Sequence, residues 1–125
     1  MKTLEFSVSP SLSPIINGEV WELSEHWHIV LCGRCVTIPK GFLTDGASIP
    51  RILWRVCGHP MSTKRISVAV VHDAIYSGEL KGYTRKEADT IYRDALIEQG
   101  WPKWKAYLEY FTLRACGASH WSKID

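Results

Sequence analysis

The sequence predicts an α+β fold: a small antiparallel N-terminal sheet followed by a three-helix C-terminal half. Three observations carry this. Residues 1–55 hold β-branched and aromatic residues at roughly alternating positions, the period of a strand. From about residue 60 to 118 the apolar residues recur instead at helical spacing. That second half is also punctuated by helix start and stop residues. With 125 residues, 46% of them hydrophobic and six of them tryptophan, the chain reads as a single domain, 1–125, able to bury a core without staples.

In the strand-rich part, Leu4 to Val8 form a candidate strand and the Ser/Pro cluster at 9–14 a loop, with Asn17-Gly18 as a turn. Val20, Trp27, Ile29, Leu31, Val36 and Ile38 then fill one or both faces of the sheet. Gly33-Arg34 makes the tight turn of a hairpin between them. Phe42, Leu43, Ile49, Ile52, Leu53 and Trp54 are apolar pegs on either side of a polar turn, Thr44 to Ser48.

In the helical part, Ser62 is the candidate N-cap of a helix running to Tyr76 and ended by Ser77-Gly78. Thr84 to Glu87 reads as a capping box opening a helix to Gln99, with Gly100 just past its end. Pro102 suits the first turn of a third helix, where Trp104, Leu108 and Phe111 recur at i, i+4 and i+7 as a core stripe or a partner face, core being favoured. Gly117 is its natural stop.

Composition narrows the functional classes. A formal net charge of +2 is too mild for nucleic-acid binding without a clustered basic face. No apolar run reaches the ~18 residues of a membrane span. The first residues lack the basic region and apolar core of a secretory signal, so synthesis and use in a cytoplasm are expected. Of the four cysteines, Cys32 and Cys35 form a C-G-R-C pair between strand-like segments, while Cys57 and Cys116 stand apart. Zinc wants a second ligand pair and redox chemistry a following helix, so plain thiols are the favoured reading.

The chemistry-bearing residues lie in two stretches. His72 and Asp73 sit side by side in an otherwise apolar helix, V-A-V-V-H-D-A-I-Y. His72 and Tyr76 are four apart and share a face, whereas Asp73 points about 100° away. In the next helix, Asp89 falls on the margin of the apolar stripe Ala88, Ile91, Tyr92, Ala95 and Leu96, while Glu87 and Asp94 point to solvent. Asp89 therefore faces another element, within reach of His72. A carboxylate that fixes an imidazole's tautomer leaves the other ring nitrogen as a base. Asp45 and Gly46 in the polar turn, flanked by Thr44 and Ser48, supply the oxygen donors that hard cations prefer, with Asp73 as a second carboxylate. A cation beside a base activates water towards an ester or amide. An Asx-turn at Asp45 and a hydrogen-bonded core histidine explain the same residues without catalysis.

Taken together, G-F-L-T-D-G-A-S-I-P-R (41–51), H-D-A-I-Y (72–76), R-K-E-A-D (85–89), Trp101, Trp104, Tyr107, Arg114 and Gly117 resemble a family of unknown function found in tailed phages and prophages. The resemblance spans roughly residues 20–121. It implies a phage or prophage gene, often among structural or lysis genes, made in the host cytoplasm and sometimes virion-associated. More locally, D-G-x-S-x-P followed by H-D-x-x-Y and a distal Asp is similar to secreted calcium-dependent phospholipases. That likeness implies His72 as base, Asp73 and Asp45 with the Gly46 loop as calcium ligands, and Tyr76 and Asp89 as supports of the histidine. No organic cofactor is implied.

Three functions stay open at this point. One is a metal-dependent hydrolase acting on an ester or amide of the bacterial envelope. Another is a non-catalytic virion or tail protein, partnered by phage structural proteins, in which His72, Asp73, Asp89 and Asp45 form a buried network. The third is a small inhibitor of a host factor. A hydrolase needs His72 within reach of water; a network needs its members buried and mutually paired.

Overall fold

The computed structural model describes residues 2–16, 20–44 and 65–121. The α+β expectation holds, with one change: the N-terminal half makes two small antiparallel sheets rather than one. Its strands are β1 (Leu4–Glu5), β2 (Leu12–Ile16), β3 (Val20–Leu23), β4 (Trp27–Leu31), β5 (Arg34–Ile38) and β6 (Leu43–Thr44). One sheet has the order β1-β4-β5 and the other β2-β3-β6.

The β4–β5 hairpin carries the strand period most clearly. Along β4, Trp27, Ile29 and Leu31 point into the core while His28 faces out, as alternation requires. Val36 lies half-buried against that core and Ile38 is buried in it. The connecting turn is Cys32-Gly33, one residue earlier than the expected Gly33-Arg34, and Arg34 already pairs with Leu31. Both turn residues have positive φ, 52° and 82°, the combination whose twist matches a hairpin. Gly33 adopts it without strain, whereas Cys32 does so with a Cβ.

The Ser/Pro segment is not all loop. From Leu12 it pairs with β3, with a register irregularity between Pro14 and Ile16. β2 is an edge strand, so Pro14 can sit there without breaking an interior ladder. Conversely, the first strand is only Leu4–Glu5, and Val8 is exposed. Leu43 is also exposed, against its reading as a peg, while Phe42 packs against the core and Thr44 is buried. The turn at Asn17-Gly18, the pegs Ile49, Ile52, Leu53 and Trp54, the residues Asp45, Gly46 and Ser48, the cap Ser62 and Cys57 lie outside the described residues.

Among the described residues three helices follow: α1 (Ile66–Tyr76), α2 (Arg85–Glu98) and α3 (Lys103–Cys116). α2 opens with the expected capping box, Thr84 accepting from Glu87 N–H and Glu87 accepting from Thr84 N–H. α3 corrects the sequence reading. Trp104 and Phe111 are 60% and 62% exposed, and the buried positions are Ala106, Glu109 and Leu113. The helix turns inward the face on which a small residue permits close approach and Glu109 finds polar partners. Gly117 ends the α-helix, but the chain continues as a 3₁₀ turn, Gly117–His120.

The core joins both halves, with Leu4, Leu23, Trp27, Leu31 and Ile38 packed with Val68, Val71, Ile75, Leu96 and Leu113. A polar clamp adds to it. The backbone N–H of Thr3, just before β1, donates to both carboxylate oxygens of Glu98 at the end of α2, at 3.0 and 2.8 Å.

Candidate functional site

His72 is carried on an α1 face made almost wholly of core residues. It is buried at 2% exposure, and Asp89, from α2, at 0%. Burial of a carboxylate this deep is tolerable only with several strong donors, and Asp89 has them. Its Oδ1 accepts from His72 Nε2 at 2.9 Å and from the Tyr76 hydroxyl at 2.5 Å. Its Oδ2 accepts from Arg114 Nη1 at 2.9 Å, and Arg85 Nη1 lies 3.8 Å away. Burial alone pushes the Asp89 carboxyl up. The hydrogen bonds from His72, Tyr76 and Arg114 outweigh it, so the group is held below its ordinary range and stays ionised. An ionised carboxylate only accepts, so His72 Nε2 carries a proton. Among the described residues, Nδ1 has no hydrogen-bond partner.

The imidazole is fixed by rings as well as by charge. Tyr76 lies 4.1 Å from it, centroid to centroid, and Tyr92 packs edge-on at 5.0 Å. Burial, and then the bond to Asp89, raise the Tyr76 phenol well above its usual range, so it is a permanent donor. The helical reading of α1 also holds for Asp73. It leaves the His72–Tyr76 face and accepts a hydrogen bond from Thr44 Oγ1, at the end of β6. The sheet edge that ends at Thr44 is thereby seated on α1, one residue from His72.

Thus the structure brings together His72, Tyr76 and Asp89, and separately Thr44 and Asp73; Asp45, Gly46 and Ser48 lie outside the described residues. Among the described residues, no group of three or more His, Cys, Asp or Glu side chains is placed to hold a metal. Cys32, Cys35 and Cys116 are free, exposed thiols. Burial first, then Glu98, Glu87 and Asp94, push the Cys32 thiol up, away from thiolate chemistry.

Two arginines that the sequence reading left out of the site belong to it. Arg114 closes the second oxygen of Asp89. Arg85 lies between the Tyr76 hydroxyl and the last turn of α3, donating to the carbonyls of Leu113 at 2.9 Å and Arg114 at 3.1 Å. Arg85 stands one turn before Asp89, a spacing that marks an ion pair on any helix. Arg114, 25 residues beyond Asp89, carried no local signal. Gly117 completes the wall: a Cβ there would meet the Tyr76 hydroxyl at 2.7 Å and Arg85 Nη1 at 3.1 Å.

A second buried polar cluster adjoins the first through Tyr92. Glu109 accepts from Arg65, from the Tyr92 hydroxyl at 2.7 Å and from Trp101 Nε1 at 3.1 Å. Arg65 and Glu109 are both fully buried. Burial works against the Arg65 charge, but Tyr92 and Glu109 outweigh it and keep the guanidinium protonated. Lone charges among the apolar residues before α1 and within α3 gave no sign of pairing with each other.

Fold and site together define a small α+β protein with a buried, carboxylate-anchored histidine between α1 and α2. The chain belongs to the family described as "Protein of unknown function (DUF1353)", whose model matches residues 21–113. It is similar to the uncharacterized protein y4jT of Sinorhizobium fredii (strain NBRC 101917 / NGR234), 31% identical over 80 residues, which is 64% of this chain and 23% of that protein. It is also similar to the uncharacterized protein y4iH of the same strain, 35% identical over 74 residues, 59% of this chain and 30% of that protein. The matched stretch is less than a third of either relative. No solved structure matches.

Proposed function

We propose that this chain is a phage- or prophage-encoded accessory protein in which His72 is the general base of a hydrolase acting on an ester or amide of the bacterial envelope. The observation that supports this best is the His72–Asp89–Tyr76 arrangement. Nε2 is committed to a carboxylate that remains ionised, which fixes the tautomer and leaves the Nδ1 lone pair as the basic edge. In the proposed reaction, Nδ1 takes a proton from water as the water oxygen bonds to the substrate carbonyl carbon. The resulting imidazolium is stabilised by Asp89. His72 then returns the proton to the departing alkoxide or amine as the C–O or C–N bond breaks. Tyr76 and the arginines hold Asp89 and are positioning residues. The same proposal gives Asp73, with Asp45 and Gly46, which follow Thr44 in the sequence, to calcium, for which an all-oxygen donor set is suitable.

The second reading, a non-catalytic virion or tail protein, has its own observation. His72 is 2% and Asp89 0% exposed, and both Asp89 oxygens are already bonded. Here the cluster would only hold the helices together.

Calcium titration followed by thermal melting, on the wild type and Asp73→Asn, separates the two, together with phospholipid and peptidoglycan hydrolysis by the wild type and His72→Gln. The hydrolase predicts a calcium-dependent rise in melting temperature that Asp73→Asn abolishes, and turnover that a folded His72→Gln lacks. If calcium and zinc both leave the wild type unchanged, no substrate turns over, and the variants merely melt earlier, the network reading replaces it.

A further inference from the structure

The aromatic side chains of α3 are not used by the core. Trp104, Tyr107 and Phe111 are 60%, 41% and 62% exposed and recur at spacings of three and four, so they form one stripe along the helix. Exposed large aromatics gathered in a stripe mark an interaction surface. The charges around them are one-sided. α3 contains Lys103, Lys105 and Arg114 against a single acid, Glu109, which is fully buried. Arg114 is bonded to Asp89, so the charges that flank the stripe are Lys103 and Lys105, both positive. Lys105 also stands 5.5 Å over the rings of both Trp101 and Trp104, placing its ammonium beside the stripe.

We propose that the outer face of α3 docks on an anionic phospholipid surface, lying in the interface with Trp104, Tyr107 and Phe111 entering the headgroup boundary and Lys103 and Lys105 facing the lipid phosphates. Aromatics with a polar edge favour that boundary, and an amphipathic helix with lysines on its flank binds it by apolar burial plus electrostatic attraction. Charge complementarity selects this occupant over a second copy of the chain, because Lys103 and Lys105 brought against their own copies in a two-fold contact repel. It selects lipid over a single-stranded nucleic acid because that ligand needs a basic groove following its backbone. Here the nearby Arg93 is already paired with Asp94 and stacked between Tyr107 and Tyr110 at 5.0 and 4.8 Å. The inference stands independently of catalysis: it concerns where the chain sits, and binding is read without turnover.

The experiment is co-sedimentation of the whole chain with vesicles of phosphatidylglycerol and phosphatidylcholine, against vesicles of phosphatidylcholine alone, with intrinsic tryptophan fluorescence as a second readout. Binding to the anionic vesicles with a blue shift is expected, and little binding to the neutral ones. Trp104→Ala with Phe111→Ala should weaken partitioning by roughly tenfold, and Lys103→Gln by roughly fivefold. All three side chains are exposed, so the variants should keep the wild-type melting temperature, which is checked in parallel. The proposal is overturned if the wild type ignores anionic vesicles or if the double variant binds as well as the wild type. A dimer in solution that the double variant abolishes, or the same residues binding a single-stranded oligonucleotide in place of vesicles, also overturns it.

Discussion

Asp89 accepts from three side chains and lies near a fourth, two of the four being arginines. Its carboxyl is held below the ordinary range by its partners in spite of burial. The sign of the pH effect follows. A group whose folded value is depressed contributes stability that is fully present above its unfolded value of about 4, and that is lost as pH falls from there through the folded value. Wild-type melting temperature should therefore drop steeply on acidification below about pH 4, and Asp89→Asn should flatten that part of the profile. Near neutral pH, Asp89→Asn should cost about 3–5 kcal/mol, because two arginines lose their counter-charge and His72 loses a charged acceptor. Urea unfolding at several pH values measures both; equal acid slopes for the two proteins would remove Asp89 from this role. Gly117→Ala tests the same cluster from its wall. The methyl would have to displace the Tyr76 hydroxyl or the Arg85 guanidinium, neither of which can yield without loosening its hydrogen bonds. A loss of about 1–3 kcal/mol is expected, and wild-type stability would show that Tyr76 and Arg85 have slack.

At the scale of elements, caps and turns were the most legible features, because their signals are local. The α2 capping box follows from Thr84 and Glu87 alone, and Thr84→Ala should lower stability by about 1 kcal/mol in urea unfolding, with Glu87 unable to compensate. The His72–Asp89 contact was also readable, since helical geometry puts Tyr76 on the face of His72 and Asp89 on the inner margin of α2. What escaped was what depends on pairing, near or distant, and on a strained backbone angle. The division of six strands into two sheets is decided by β2 joining β3, in a segment whose serines and prolines read as loop. The inward face of α3 is decided by Glu109 meeting Arg65, 44 residues away; aromatic spacing pointed to the opposite face. The hairpin turn slipped by one residue because glycine marked the turn without saying that Cys32 shares its positive φ.

Across the whole molecule, two buried ionic clusters hold the three helices in one arrangement. Asp89 links α1 to the end of α3, Glu109 links Arg65 at the entry to α1 with the middle of α3, and Tyr92 touches both, packing on His72 while donating to Glu109. Such pairs hold position more than they add net stability, since the desolvation of two charges offsets most of their attraction. This separates two kinds of change at Glu109. Glu109→Gln leaves the Arg65 guanidinium buried without its carboxylate, and should cost about 3–5 kcal/mol, a large part of a typical folding free energy of about 5–15 kcal/mol. Replacing both members together, Arg65→Met with Glu109→Leu, removes the charges and their desolvation at once. The double variant should therefore unfold at a higher urea midpoint than Glu109→Gln, while its Tyr92 and Trp101 lose an acceptor. Urea unfolding of the wild type, Glu109→Leu, Arg65→Met and the double variant gives the complete cycle, with Glu109→Gln measured beside it. A double variant no more stable than Glu109→Gln would show instead that the core around Tyr92 cannot close over apolar substitutes.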